Sequence, residues 1–237
     1  MTEPLFLSDA YAKTAPGVVA AHTPEGGVVL DATIFYAKGG GQPGDSGRIA
    51  WDGGAMEVAA AVKGEGGAIV LLPAEAAALP PVGTAVEQRL DWGRRHAHMR
   101  MHTALHLLSV AIPLPVTGGQ IGAERGRLDF AMPEPVAPEI VQAELDRLVA
   151  RDDPVGARWI DEAELDARPE LVKTLSVQPP RGAGRIRLVR IGPEDAPIDL
   201  QPCGGTHVAR TGEIGRVRVA KIENKGRQNR RVSLTLS

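Results

Sequence analysis

Apolar residues along the first ninety positions come in short runs broken by turns. Gly17–Ala21, Val28–Thr33, Arg48–Trp51, Met56–Val62, Ala68–Leu72 and Thr84–Leu90 each read as a short strand. Thr23-Pro24-Glu25-Gly26-Gly27, Asp52-Gly53-Gly54 and Pro80-Pro81 separate them, and Ala74–Leu79 hold a helical turn at most. Several short strands at this spacing, with no helical period among them, predict a small β-barrel.

The pattern changes at Asp91. Arg94 to Ala111 contains no Gly or Pro, and Met101, Ala104, Leu105, Leu107 and Leu108 supply its apolar positions. This is a helix, closed by Pro113 and Pro115. A second helix is expected over Pro138–Arg151, with the proline in the first turn, where a missing N–H does no harm. A short third one is expected over Asp161–Arg168. Strand patterns return at Ile121–Met132 (with a turn at Glu124-Arg125-Gly126), Arg185–Ile191, Ile214–Glu223 and Arg231–Leu236. The expected organisation is a glycine-rich β-barrel domain over 1–92 followed by an α+β domain over 93–237.

Composition narrows the class. With 237 residues, 43% hydrophobic and 24% charged, the chain has core enough for two modest domains and does not read as disordered. Its apolar runs, such as Ala68–Pro73, are too short to cross a bilayer. Met1–Asp9 lacks the basic-then-apolar pattern of a signal peptide, so no membrane partner and a cytoplasmic location are expected. The single cysteine cannot form an internal disulfide, which leaves its thiol available to a metal.

Charge is uneven. Gly204–Ser237 carries eight Lys or Arg against two acids, a net of +6 within an overall −2. Such a tail suits phosphate contacts, and it equally suits a solvated face. An aromatic content of 3% argues against reading single strands by base stacking.

The chemistry concentrates in two motifs, His102-Thr-Ala-Leu-His106 and Cys203-Gly-Gly-Thr-His207. Each places two good metal donors four residues apart, and Cys plus three His is a set that zinc favours. On a helix, residues four apart share a face. His98 extends the same stripe, and over eight residues the axial rise is roughly 12 Å, too far for His98 and His106 to share one ion. Spacing alone therefore leaves 98/102 and 102/106 both open, beside a reading in which one imidazole is a core residue. Gly204 and Gly205 let the chain bend sharply between the second pair. The interior of the first motif lacks the Glu of a zinc peptidase, which excludes that class. Cys203 with His207 as a nucleophile and base would explain only two of the four residues. Gly39-Gly40-Gly41 lacks the Gly-Lys-Ser/Thr ending of a phosphate-binding loop, so no nucleotide cofactor is expected, and a turn needing positive φ explains the run.

Taken together, Thr33-Ile-Phe-Tyr36, Gly39-Gly-Gly-Gln-Pro-Gly-Asp45, Arg94–Leu108, Cys203–Val208, Thr211-Gly-Glu-Ile-Gly215, Lys225-Gly226 and Arg230-Arg231 resemble the free-standing alanyl-tRNA editing proteins. These are relatives of the alanyl-tRNA synthetase editing domain and, more distantly, of the threonyl-tRNA synthetase one. The resemblance covers nearly the whole chain and matches the larger type with the glycine-rich motif. It implies a zinc-binding α+β editing domain, one Zn2+ per chain at His102, His106, Cys203 and His207, and trans hydrolysis of mischarged tRNA(Ala) without ATP. Ser-tRNA(Ala) is the chief expected substrate and Gly-tRNA(Ala) a second one. The acceptor end of tRNA(Ala) carrying a wrong amino acid is the expected partner.

A pocket that must keep serine and reject the smaller alanine cannot work by bulk. It needs a polar group that only the serine hydroxyl satisfies. Thr33 is the candidate, with Gly40, Gly41 and Gln42 bordering the substrate and Asp45 as a further lining residue. Arg94, Arg95, Lys225, Arg227, Arg230 and Arg231 are the candidate phosphate contacts. The competing readings are a deacylase for another mischarged tRNA, such as Ser-tRNA(Thr), and a non-catalytic zinc- or tRNA-binding module.

Overall fold

A computed structural model of the chain describes residues 1–76, 78–175, 182 and 184–237. The turn expected over 74–79 includes Ala77, which lies outside them. The chain divides into two compact units, Met1–His96 and Ala97–Ser237, and the division falls within a single helix, Trp92–Ala111.

In the first unit, six strands close into a barrel. Around the ring they run Thr14–His22, Val28–Leu30, Ile69–Pro73, Gly54–Lys63, Gly47–Trp51 and Ala85–Leu90, which pairs back onto the first, and every pairing is antiparallel. Alternation buries one face along strands such as Ala85–Leu90, whereas Ile69–Pro73 buries Ile69, Val70 and Leu71 in succession. Val19, Val28, Leu30, Ile49, Met56, Val58, Leu71 and Val86 fill the interior together with Ile34 and Phe35. The run expected as one strand, Val28–Thr33, is interrupted. Ala32–Thr33 leaves the barrel and pairs in parallel with Glu3–Pro4.

The long helix begins two residues earlier than the sequence pattern suggests, because Asp91 Oδ1 accepts the Arg94 N–H at 3.1 Å and so caps the first turn. In the second unit, a four-stranded antiparallel sheet runs in the order Val217–Asn224, Asn229–Leu236, Arg125–Ala131 and Val116–Gln120. A three-stranded antiparallel sheet joins Val155–Asp161, Arg185–Ile191 and Asp199–Pro202. Helices Pro138–Ala150 and Glu162–Asp166 belong to the same unit.

Two features differ from the sequence pattern. The strand expected over Ile121–Met132 is the second half of a hairpin whose first strand is Val116–Gln120. Gly118 and Gly119 hide that strand, since glycine is depleted in sheets. Val155–Asp161 and Asp199–Pro202 are strands that the pattern does not announce. The first buries only Ile160 and the second is mostly Asp, Gln and Pro, so neither carries a strand's apolar alternation.

The sheet packs closely on the helix at Gly126. A Cβ there would lie 2.6 Å from Met101 Sδ and 3.2 Å from Leu105 Cδ1. Met101 and Leu105 thus face the sheet, and the neighbouring positions His102 and His106 turn to a different side of the same helix.

Candidate metal centre

His102 and His106 sit one turn apart on the long helix. Cys203 and His207 lie on the loop that leaves Asp199–Pro202, and the four donor atoms lie within 4.8 Å of one another. His98 is buried but stands outside this group. The contact between helix and loop thus groups the 102/106 pair, and not 98/102, with the second motif.

The loop is shaped from beneath by Arg187, whose Nη1 donates to the carbonyls of Cys203 at 2.9 Å and Gly205 at 3.0 Å. The Gly205 N–H points at Cys203 Sγ, 3.4 Å away. A backbone donor on sulfur favours the thiolate, the form that binds metal.

Outer hydrogen bonds orient His106 and His207. His106 Nδ1 lies 2.8 Å from Asp199 Oδ2, and a carboxylate only accepts, so the ring donates there and presents Nε2 to the cluster. Asp199 is itself held by Lys173 Nζ at 2.5 Å and Gln201 Nε2 at 2.9 Å. His207 Nδ1 lies 3.2 Å from Thr103 Oγ1. That hydroxyl has given its proton to the Met99 carbonyl at 2.9 Å, so it accepts from His207 and again leaves Nε2 facing inward. This is how ligating histidines are fixed in tautomer and orientation by their outer partners.

The geometry fits an ion. A tetrahedral metal with bonds of about 2.0 Å to nitrogen and 2.3 Å to sulfur separates those donors by about 3.5 Å. Cys203 Sγ lies 3.5 Å from His102 Nε2 and 3.3 Å from His207 Nε2. Among the protein groups alone the electrostatics are those of a thiolate among imidazoles, and an ion would have to displace a proton from His106. Burial, assisted by the charge of His102, pushes His207 down to about 3, so it is neutral. Burial would raise the Cys203 thiol, but the surrounding imidazoles, His102 foremost, hold it well below its usual value. Burial opposes the charged form of His106 too, yet Asp199 and Cys203 raise it to about 9. Asp199 is lowered to about 2, its burial outweighed by His106 and Lys173. Four protein donors occupy every corner of a tetrahedron, the arrangement of a closed site.

In the barrel unit, Gly39 and Gln42 exchange backbone hydrogen bonds at 3.1 and 2.9 Å across Gly40 (φ 55°) and Gly41 (φ 82°). Two consecutive positive φ values make a type I′ turn, which is what the glycines are for. Gln42 and Asp45 are buried. Thr33 is buried as well: its hydroxyl donates to Gln88 Oε1 at 2.7 Å and accepts the Phe35 N–H at 3.2 Å. Gln88, which no motif singles out, also holds the Pro16 and Ala32 carbonyls.

Arg95 is fully buried, with Nε 3.1 and 3.0 Å from the Asp45 carboxylate oxygens, Nη1 on Ala10 O and Nη2 on Ile34 O. Asp45 also accepts the Tyr36 N–H at 2.6 Å. Arg95 is therefore spent in the buried interior of the first unit and does not reach a phosphate, a distinction that a basic residue beside Arg94 does not reveal in sequence. Arg94 reaches Gly44 O at 3.4 Å. Lys225 and Arg227 are exposed on the hairpin between Val217–Asn224 and Asn229–Leu236, where Arg230 holds the Pro133 and Gly226 carbonyls. Arg231 pairs with Asp129 through Nε at 2.7 Å and Nη2 at 2.9 Å. Asp199, Thr103, Lys173 and Arg187 carry no sequence signal of their own, because only the fold brings them to the ligands.

Residues 186–233 match the model of the threonyl and alanyl tRNA synthetase second additional domain, and residues 11–94 match that of class II (A) tRNA synthetases. The alanyl-tRNA editing protein AlaX-M of Methanosarcina acetivorans is 33% identical over 247 residues, covering 100% of this chain and 99% of that protein. AlaX-M of Methanosarcina barkeri is 33% identical over 245 residues, with the same coverage. The alanine–tRNA ligase of Pyrobaculum calidifontis is 38% identical over 232 residues, which span 94% of this chain and 25% of the ligase.

Proposed function

The chain belongs to the alanyl-tRNA editing family, and we propose that it hydrolyses the ester joining a wrong amino acid, chiefly serine, to the terminal ribose of tRNA(Ala). The observation that carries this reading is the coincidence of an end-to-end match to AlaX-M with an ordered donor quartet at His102, His106, Cys203 and His207. Matching a stand-alone editing protein along its length supports action in trans on released, mischarged tRNA. Gly-tRNA(Ala) is a second substrate. The reaction needs no nucleotide, and it belongs in the cytoplasm where charged tRNA is found.

Zinc is the ion we assign to the quartet; four protein donors leave it no open corner, so when bound it would supply positive charge beside the acyl group and would acidify a water only where one donor gives way. The chain's residues do the positioning. Asp199 and Thr103 fix the two rings so that their Nε2 atoms converge, Arg187 sets the loop, and the neighbouring histidines with the Gly205 N–H favour the anionic form of the Cys203 sulfur. Hydrolysis puts the hydroxyl of water on the carbonyl carbon and a proton on the departing ribose oxygen.

Selectivity for serine is assigned to Thr33, with Gly40, Gly41 and Gln42 bordering the substrate. Its hydroxyl has used its proton on Gln88 and one lone pair on Phe35 N–H, which leaves one lone pair. A serine hydroxyl can donate to it, whereas alanine would leave it unmet. Arg94, Lys225, Arg227, Arg230 and Arg231 are the proposed phosphate contacts.

The deciding experiment is deacylation of Ser-, Gly- and Ala-charged tRNA(Ala) and of Ser-charged tRNA(Thr), each with and without chelator. Fast loss of serine from tRNA(Ala), slowed by chelator, is expected. No hydrolysis of any of the four would overturn the assignment.

A further inference from the structure

The four-stranded sheet of the second unit has two unlike faces. Gly126, Phe130, Val232 and Leu234 are buried, and Gly126 packs on the long helix. Side chains alternate along a strand, so their neighbours project from the opposite side, away from the helix that carries His102 and His106. Register places these neighbours in rows: Lys221, Ser233, Arg127 and Gln120 across the sheet, with Arg218, Thr235 and Arg125 beside them and Glu223, Arg231, Asp129 and Gly118 on the other flank. A groove of about 520 Å³ runs over this face.

Charge on the face is strongly one-sided. Among the described residues of this face, Arg125, Arg127, Arg218, Lys221 and Arg231 stand against Asp129 and Glu223. Asp129 is taken up by Arg231 and Arg127, and Glu223 lies 3.0 Å from Lys221. Arg125 and Arg218 are exposed, and neither has a carboxylate partner among the described residues. Between the cations lie Gln120, Ser233 and Thr235, which both donate and accept. No aromatic ring lines the groove, so it has nothing on which to stack a base.

We propose that this outer sheet face is a docking surface for the sugar–phosphate backbone of a base-paired RNA stem. It lies apart from the metal centre and holds the substrate tRNA away from its reactive end. Cations interleaved with hydroxyl and amide groups match what an A-form stem exposes, namely phosphates and 2′-hydroxyls, and such stems are recognised by shape rather than sequence. The choice of tRNA as partner rests on the editing reading, while the surface rests on its own charge and register.

The test compares the wild type with Arg125→Gln/Arg218→Gln/Lys221→Gln and, separately, Glu223→Gln. Binding of uncharged tRNA(Ala) transcript is followed by anisotropy across a salt series, and hydrolysis is followed on seryl-tRNA(Ala) and on a serylated CCA trinucleotide. The triple variant is expected to weaken tRNA binding at least about tenfold at 0.1 M salt and to lower the salt slope by roughly 0.9 for each phosphate it no longer neutralises. Its hydrolysis of the trinucleotide should be unchanged. Glu223→Gln should bind tRNA several-fold more tightly, a gain that misfolding would not produce. Unchanged affinity and slope in both variants would overturn the surface, as would a shift in sedimentation pointing to a second copy of the chain. A wild type that hydrolyses neither substrate would sink the editing reading, and the binding series would still decide on the surface.

Discussion

Asp199 Oδ2 stands 2.8 Å from His106 Nδ1, across 93 positions of sequence, and ties a strand end to the helix that carries half of the donor quartet. The carboxylate fixes which ring nitrogen faces inward. Asp199→Asn keeps the shape but removes the anion, and is expected to lower metal affinity about 10–100-fold. Competition with a chromophoric chelator measures this directly. An unchanged affinity would remove Asp199 from any part in ordering the site.

Thr103 plays the matching part for His207. Thr103→Val deletes the acceptor of the His207 Nδ1–H and of the Val208 N–H, so metal affinity should fall about tenfold or more. Thr103→Ser should restore it, because the hydroxyl rather than the methyl group matters. Equal losses in both variants would point to helix packing instead.

Thr33→Val leaves the buried Phe35 N–H without its acceptor and takes a donor from Gln88. A stability loss of about 1–3 kcal/mol is expected in urea titration, together with a reduced ratio of serine to alanine deacylation. If stability falls and the ratio holds, Thr33 serves only the barrel.

The Arg95–Asp45 pair is sealed in the first unit. Arg95→Met should cost about 3–5 kcal/mol, because it strands a buried carboxylate. Arg95→Met with Asp45→Leu should recover part of that loss, although Tyr36 N–H and the Ala10 and Ile34 carbonyls still lose partners. A wild-type unfolding midpoint for the single variant would contradict the burial described.

Arg231 above all, then Arg127, holds the Asp129 carboxyl below its usual value. A lowered folded-state value means that the unfolded chain binds the proton first. The contribution is therefore complete above about pH 4 and is lost as pH falls through the folded value. Asp129→Asn should flatten the acid limb of unfolding midpoint against pH. An identical limb in the variant would assign acid sensitivity elsewhere.

The barrel strands and the long helix are legible in the sequence because their signals are local, alternation between turns in one and a Gly- and Pro-free stretch in the other. The quartet is legible because histidine and cysteine are scarce enough for spacing to carry information. Choosing His106 over His98 requires the loop, and the loop's position depends on Asp199–Pro202, a strand with almost no apolar pattern. Arg95 shows the opposite limit. A guanidinium reads as a surface group until Asp45, fifty residues earlier, is found to enclose it.

The closed ring of barrel strands leaves no free edge on that sheet, so it offers an unfolded neighbour no ladder to extend. The sheets of the second unit do have edges, and Val217–Asn224 is one of them. That strand carries Arg218, Lys221 and Glu223, and charged side chains along an open edge discourage another chain from adding a strand. The residues proposed to receive RNA would thus also keep the protein from aggregating. Neutralising them to weaken tRNA binding should make concentrated stocks more prone to precipitate, even with every core residue in place.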